Sequence, residues 1–245
     1  MQRFKGKTVI VTGGGSGIGA AAALRFGAEG AAVVVSDINH EQAVAVANQI
    51  KRSGQAVALQ ADVSKEAEVA ALVDSAVKAY GRLDVMVNNA GVGGLETAVD
   101  AITEAEWRKL MGVNLDGVFF GVKHAVRVMK AGKIAGSIIN VSSILGLVAF
   151  EHAVAYTAAK HAVVGMTKAA SLELAPLGIR VNAVNPAFIK TPMIVGLEEA
   201  VVPLHPAGRI GTPEEVAAVI CFLGADEASF VTGASYLVDG GYVAK

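Results

Sequence analysis

Ser143 precedes Tyr156 by 13 residues, and Lys160 follows Tyr156 by four. On a helix Tyr156 and Lys160 stand one turn apart on a common face, which sets an ammonium beside a phenol. A free phenol, with a pKa of about 10, exchanges its proton poorly near neutrality; a neighbouring cation favours the phenolate and lowers that pKa. Near the start of the chain, Thr12-Gly13-Gly14-Gly15-Ser16-Gly17-Ile18-Gly19 offers a glycine-rich turn. Such a turn holds a pyrophosphate at a helix N-terminus, where unpaired N–H groups and the helix dipole favour an anion. Together these segments suggest hydride transfer with a tyrosine as acid/base.

The elements that position them follow from periodicity. Short runs rich in Val and Ile, at Thr8–Thr12, Ala32–Asp37, Val57–Ala61, Val85–Asn88, Ser137–Ser142, Arg180–Asn185 and Tyr236–Val238, alternate with segments of helical period. This alternation implies an α/β fold of the Rossmann-like, doubly wound kind: a parallel sheet of about seven strands with helices on both faces. Gly30, Gly54 and Gly81 each close a helical segment where a left-handed residue is wanted. Thr212-Pro213-Glu214-Glu215 combines an N-cap, a proline at the first helical position and a capping-box glutamate, and Thr103-x-x-Glu106 starts another helix in the same way. Two long helices are expected over about Thr103–Lys130 and Ala153–Ala175. No linker or internal repeat interrupts residues 1–245, so one domain is expected. The least regular stretch, Ala187 to Gly211, reads as a lid over a site, because long loops in compact domains are usually functional.

In a doubly wound sheet the ligand sits at the carboxyl ends of the strands, and the conspicuous residues fall there. Asp37 ends the second strand, 24 residues after Gly13, where a carboxylate accepts hydrogen bonds from a ribose diol and repels a 2′-phosphate. Neither Ser16 nor Ile38 supplies the cation a phosphate would need, so NAD (NADH) is favoured over NADP. Asp62-Val63 after the third strand and Asn88-Asn89-Ala90-Gly91 at the end of the fourth give a polar edge and a small-residue floor on the adenine and ribose sides.

The set Thr12-Gly13-x-x-x-Gly17-x-Gly19, Asp62, Asn88-Asn89-Ala90-Gly91, Asn114, Ser143, Tyr156-x-x-x-Lys160 and Asn185-Pro186 resembles the short-chain dehydrogenase/reductase family in its single-domain form. The resemblance covers essentially the whole chain, through Gly208–Glu215 and the closing Val238-Asp239-Gly240-Gly241. It implies that Tyr156 is the general acid/base and that Ser143 hydrogen-bonds the substrate oxygen. It implies too that Lys160 lowers the tyrosine pKa and binds the nicotinamide ribose, and that Asn114 holds a water linking Lys160 to solvent. Gly13, Ser16, Gly17, Ile18 and Gly19 would hold the cofactor with Asp37, Asp62, Val63, Asn89, Ala90, Gly91 and Pro186, and Ile189 and Thr191 would contact its carboxamide and phosphates. One departure is visible: Ala187 follows Pro186 where the family usually has glycine. The resemblance also implies a homotetramer, in keeping with two long helices apolar on more than one face.

The segment between Ser143 and Tyr156 offers Leu145, Val148, Phe150 and His152, and the lid offers Phe188 and Met193. A neutral, hydrophobic secondary alcohol or ketone is the expected substrate, with His152 able to hydrogen-bond one of its oxygens. Two alternatives stay open. One is a 3-oxoacyl carrier-protein reductase, which such enzymes generally pair with NADPH and a basic docking patch where this chain has Ile134 and Leu177. The other is a cofactor-binding interaction protein without catalysis.

Composition narrows the partners. A formal net charge of −1 with scattered Lys and Arg argues against nucleic acid. Mean hydropathy is high at +0.50, yet no apolar run approaches the ~18 residues of a membrane span. No signal peptide is visible, and a cytoplasmic enzyme is expected. The single cysteine, Cys221, lies in an apolar run, and His40, His124, His161 and His205 suggest no metal site.

Overall fold

The computed structural model describes residues 2–93 and 97–244. Seven strands form one sheet: β1 (Thr8–Thr12), β2 (Ala32–Asp37), β3 (Gln55–Gln60), β4 (Val85–Asn88), β5 (Ser137–Val141), β6 (Arg180–Pro186) and β7 (Ser235–Val238). All neighbouring pairs are parallel, in the order β3-β2-β1-β4-β5-β6-β7. The chain winds outward from β1 to β3, then returns to lay β4 against β1, with Val9, Ile10 and Val11 opposite Val85, Met86 and Val87. The direction of winding reverses between β1 and β4, and side chains at the carboxyl ends of these strands face a crevice.

Helices cover both faces: α1 (Gly17–Ala28), α2 (His40–Ile50) and α8 (Pro213–Gly224) on one, α3 (Glu66–Tyr80), α5 (Gly117–Ala131) and α6 (Val154–Leu174) on the other, with α4 (Glu104–Met111) leading into α5 and a short α7 (Glu198–Val201) in the lid stretch. Alternate residues of β1 separate the two cores. Val9 and Val11 pack with Phe4, Phe26 and Ile220, while Ile10 packs with Leu83, Met86 and Ile138. Every residue of β1, β4 and β5 is buried, as strands covered on both faces require.

Three expectations change. The long helix over Thr103–Lys130 is interrupted by a π-helical turn, Gly112–Asp116, where the Gly117 N–H reaches back five residues to the Gly112 carbonyl. Glycines at both ends weaken the α-helical preference, and the wide turn carries Asn114 inward. Gly54 is not left-handed, although Gly30 (φ 93°) and Gly81 (φ 79°) are; the chain leaves α2 through right-handed Lys51 (φ −59°), so the reversal is under way before Gly54. The third strand starts at Gln55 rather than Val57 and ends at Gln60, because an edge strand tolerates a glutamine at each end. The second long helix lies within a residue of Ala153–Ala175. No helix among the described residues is long and apolar enough to cross a membrane.

Candidate active site

The glycine turn follows β1 and is held closed by the end of β4. The Asn89 side chain donates to the Thr12 and Gly13 carbonyls at 2.9 and 3.0 Å, and the Thr12 hydroxyl accepts from the N–H groups of Asn89 and Ala90 at 3.1 and 3.2 Å. At two of its glycines no Cβ fits. A Cβ on Gly13, itself left-handed at φ 60°, would stand 2.8 Å from the Ala90 Cα, and one on Gly19 would stand 2.1 Å from the Gly13 carbonyl oxygen. Beyond it α1 opens with Ser16 making no side-chain cap and with no acidic residue in its first turn. Its first N–H groups are left for an incoming anion.

Asp37 ends β2 with both carboxylate oxygens accepting from backbone, from Gly15 N–H and Asn39 N–H at 2.9 Å each. Ile38 beside it is 63% exposed. Asp62 accepts from the Ser64 hydroxyl and N–H at 2.7 and 3.0 Å; the hydroxyl bond above all holds its carboxyl below the usual range.

At the end of β5 the two serines part. Ser142 donates its hydroxyl to the Lys160 carbonyl at 3.0 Å, inside the α6 packing. Ser143 opens a helical turn, accepts from Leu145 N–H at 3.1 Å, and hydrogen-bonds Tyr156. Lys160 is buried, donates Nζ to the Val141 carbonyl at 3.0 Å, and lies 5.5 Å from the centre of the Tyr156 ring. Gly91 lies against it: a side chain there would come 3.0 Å from Asn114 Oδ1 and 3.8 Å from Lys160 Nζ.

The expected electrostatics are corrected. Burial raises the Tyr156 phenol above its ordinary value, opposed only by the Ser143 hydrogen bond. Burial likewise pulls Lys160 down to about 8. The cause is placement: the ammonium sits against a backbone carbonyl and beside the ring, where no acidic side chain among the described residues offsets its desolvation.

These elements enclose one cleft of about 510 Å³, running from Asp37 and the glycine turn past Asp62, Val63, Ala90 and Gly91 to Ser143, Tyr156 and Lys160. Gly13, Ser16, Gly17, Ile18, Asn89, Leu145, Phe150, Pro186, Phe188, Ile189, Thr191 and Met193 also line it. Three expected site residues are not on its wall. Gly19 packs behind the turn. Asn114 is wholly buried, its amide exchanging two 2.9 Å hydrogen bonds with the Val92 backbone. His152 borders a neighbouring cavity instead, because its left-handed backbone (φ 61°) turns it out of the main cleft. Ile194 and Leu197, apolar residues of the 187–211 stretch expected over the site, line the cleft; Val92 and Val113, also on its wall, carry no mark in the sequence. The Val141 carbonyl under Lys160 is likewise announced by no side-chain pattern.

The lid stretch folds as short helical turns at Pro192–Ile194, Glu198–Val201 and Val202–Leu204. A bridge between Ile189 and Gly211 joins its two ends, with Lys190 N–H donating to Gly211 at 2.9 Å and Gly211 N–H to Phe188 at 3.0 Å.

A parallel sheet reversing between β1 and β4, a turn with no room for a Cβ at Gly13 or Gly19, and a serine, tyrosine and lysine gathered at its carboxyl edge define a nucleotide-dependent oxidoreductase architecture. The chain belongs to the short-chain dehydrogenase/reductase family. A family described as enoyl-(acyl carrier protein) reductase matches residues 13–243. Cyclohexanol dehydrogenase of Acinetobacter sp. (strain SE19) is 45% identical, over 100% of this chain and 98% of its own. The 3-alpha-(or 20-beta)-hydroxysteroid dehydrogenase of Mycobacterium tuberculosis (strain ATCC 25618 / H37Rv) is 45% identical, over 99% of this chain and 91% of its own. Among solved structures, levodione reductase superposes with a TM-score of 0.94 at 35% identity over 99% of both chains.

Proposed function

We propose that this protein is an NAD-dependent dehydrogenase that interconverts hydrophobic cyclic secondary alcohols and their ketones. The observation that carries the reading is a single cleft with Asp37 at one end and Ser143, Tyr156 and Lys160 at the other. The residues fit a dinucleotide. The glycine turn allows close backbone approach, α1 presents uncapped N–H groups to a pyrophosphate, and Asp37 is placed to accept from a ribose diol. Lys160 would reach the second ribose. When bound, the cofactor accepts or supplies the hydride.

The chain's own residues handle the proton. The Tyr156 phenol donates to the oxygen of a ketone as that oxygen gains charge, and the phenolate takes the hydroxyl proton of an alcohol in the reverse direction. Ser143 donates to the same oxygen and holds it in place. Alcohol oxidation therefore climbs with pH and ketone reduction falls. Ser142 cannot take this part, since its hydroxyl is engaged with Lys160. Asn114 acts as a strut that fixes Val92 beside the site.

Support for a cyclic substrate comes from the apolar reacting end, where Leu145, Phe150, Phe188 and Met193 meet Tyr156, and from relatives named for cyclohexanol and hydroxysteroids. NAD is proposed from Asp37 and the exposed, uncharged Ile38. A cytoplasmic homotetramer goes with the family and with the exposed Phe119 and Leu172 on α5 and α6; light scattering should give four times the 24.9 kDa chain, and a stable monomer would refute it. The test of function is turnover of cyclic ketones, straight-chain ketones and acyl thioesters with NADH and with NADPH. Preference for cyclic ketones with NADH is expected. Activity confined to thioesters with NADPH would point to the carrier-protein reading, and no turnover with any of them to a non-catalytic one.

A further inference from the structure

Phe188 stands on the wall of the main cleft and meets Phe150 of the same wall edge-on, ring centres 6.5 Å apart. Two rings that do not line the cleft back it from behind. His205 crosses Phe188 at 82° with centres 5.8 Å apart, and Tyr242 lies 6.3 Å from it. The backing rings also touch each other, with centres 5.5 Å apart, so the three close a triangle of aromatic contacts. They come from three places in the chain: the start of the stretch 187–211, its later part, and the turn after β7.

His205 ties these segments together. Its ring Nδ1 lies 2.9 Å from the carbonyl of Val201, the last residue of α7; a carbonyl only accepts, so Nδ1 carries the hydrogen of this bond. The His205 carbonyl accepts from Gly208 N–H at 2.9 Å, and Ala207 N–H donates to the Gly240 carbonyl of the turn after β7 at 3.0 Å. The ring is buried, and Nε2 has no hydrogen-bond partner among the described residues. An unpaired buried nitrogen opposes folding. The histidine nevertheless does two things at once: Nδ1 holds the end of α7, and the ring fills the space behind Phe188.

We propose that His205, together with Tyr242, is a positioning residue for substrate selection: the two rings hold Phe188 forward and so set the width of the reacting end, although neither meets the substrate. The proposal rests on the reading that a cyclic ketone reacts at Tyr156. Protein interiors are close-packed, so removal of a ring behind the wall leaves a gap into which the wall partly relaxes. Phe188 then withdraws and the cleft widens at Phe188 and Phe150, while Ser143, Tyr156 and Lys160 stay on their own elements. A small ring loses its fit and a larger one gains room.

The test uses the purified full chain with cyclohexanone and with 2-decalone, a fused two-ring ketone. His205→Asn keeps a donor near the place of Nδ1 and removes the ring. It should raise the ratio of kcat/KM for 2-decalone over cyclohexanone at least fivefold, with KM for cyclohexanone rising and its kcat within twofold. His205→Phe keeps a ring and loses the bond to Val201, and its ratio should stay within twofold of wild type. In a Phe188→Ala background His205→Asn should move the ratio less than twofold, because a residue that acts through Phe188 then has nothing to act on. Should His205→Asn not fold, Tyr242→Leu removes the other backing ring and should shift the ratio the same way. An unchanged ratio in a variant lacking a backing ring would overturn the proposal, as would an equal shift in the Phe188→Ala background or in His205→Phe. So would an equal loss of kcat for both ketones at a constant ratio, the mark of a merely structural role. If the wild type reduces neither ketone, the proposed function has failed. The positioning is then judged by calorimetric binding of 2-decalone, which His205→Asn should strengthen at least threefold; unchanged binding, or none in either protein, would overturn it.

Discussion

The strand-end half of the cleft and the half formed by residues 187–211, the proposed lid, are built on opposite principles. At the strand ends, Thr12, Asn89, Ser143 and Lys160 are fixed by hydrogen bonds of 2.9 to 3.2 Å to backbone that itself belongs to buried strands and their first turns. In the lid, Met193, Val195 and Leu197 are 52%, 75% and 42% exposed, and the stretch is held mainly at its base. There the Ile189–Gly211 bridge is reinforced by Arg209, whose guanidinium hydrogen-bonds Glu215 and holds that carboxyl down to about 2. Proton exchange needs atoms placed to a few tenths of an ångström, whereas recognition of an apolar ring needs surface that can close over it. Substitutions at the strand ends should therefore change rate or cofactor, and those in the lid should change substrate affinity.

The largest effect is expected at Tyr156. Tyr156→Phe keeps the ring and removes the oxygen that exchanges the proton, so kcat should fall by about 10²–10⁴ while NADH binding, followed by fluorescence titration, survives. Ketone reduction within threefold of wild type would break the comparison on its catalytic side.

Lys160→Met separates stability from turnover. The folded pKa of about 8 lies below the ordinary 10.5, so between these values the unfolded chain binds more protons and wild-type stability rises with pH. Below pH 8 burial of the ammonium costs on the order of 3 kcal/mol. Lys160→Met should thus melt several degrees higher than wild type at pH 7, by an advantage that shrinks towards pH 10.5, and it should lose turnover and NADH affinity. A variant that melts lower at every pH would show that the bond to Val141 outweighs the desolvation.

At the cofactor end, NADH should be preferred over NADPH at least tenfold in kcat/KM, about 1.4 kcal/mol. The Asp37→Ser, Ile38→Arg double variant should move that preference towards NADPH. Persistent selectivity for NADH would place the discriminator elsewhere. The smallest effects belong to the lid: Met193→Ala and Leu197→Ala should leave the melting temperature within about 2 °C, as mostly exposed side chains do, while raising KM for cyclic ketones a few-fold. Equal losses in kcat and none in KM would erase the distinction between the two halves.

The same contrast governs how much of the molecule is legible in its sequence. Strand and helix order was legible because Val/Ile runs and capping signals such as Thr103-x-x-Glu106 are local, and its capping box forms as expected. Asp37, Ser143, Tyr156 and Lys160 were legible as a set because each ends a strand or stands at a fixed step on one helix. The π turn that buries Asn114 was not, since it depends on how the segment packs and not on any one residue. His152 was assigned to the wrong compartment because a left-handed backbone in a non-glycine residue leaves no sequence mark. Val92 and Val113 were not legible as cleft residues, because an apolar residue looks alike whether it lines a cleft or covers a core.

The central claim, hydride exchange at the carbinol carbon of a cyclic alcohol beside Tyr156, is tested most directly by isotope placement. Wild-type enzyme supplied with NADH carrying deuterium at both C4 positions and a cyclic ketone should yield an alcohol with one deuterium on the carbinol carbon and a hydroxyl proton from solvent, read by NMR and mass spectrometry. Product without deuterium at that carbon, or deuterium delivered only to the β-carbon of an unsaturated thioester, would contradict it.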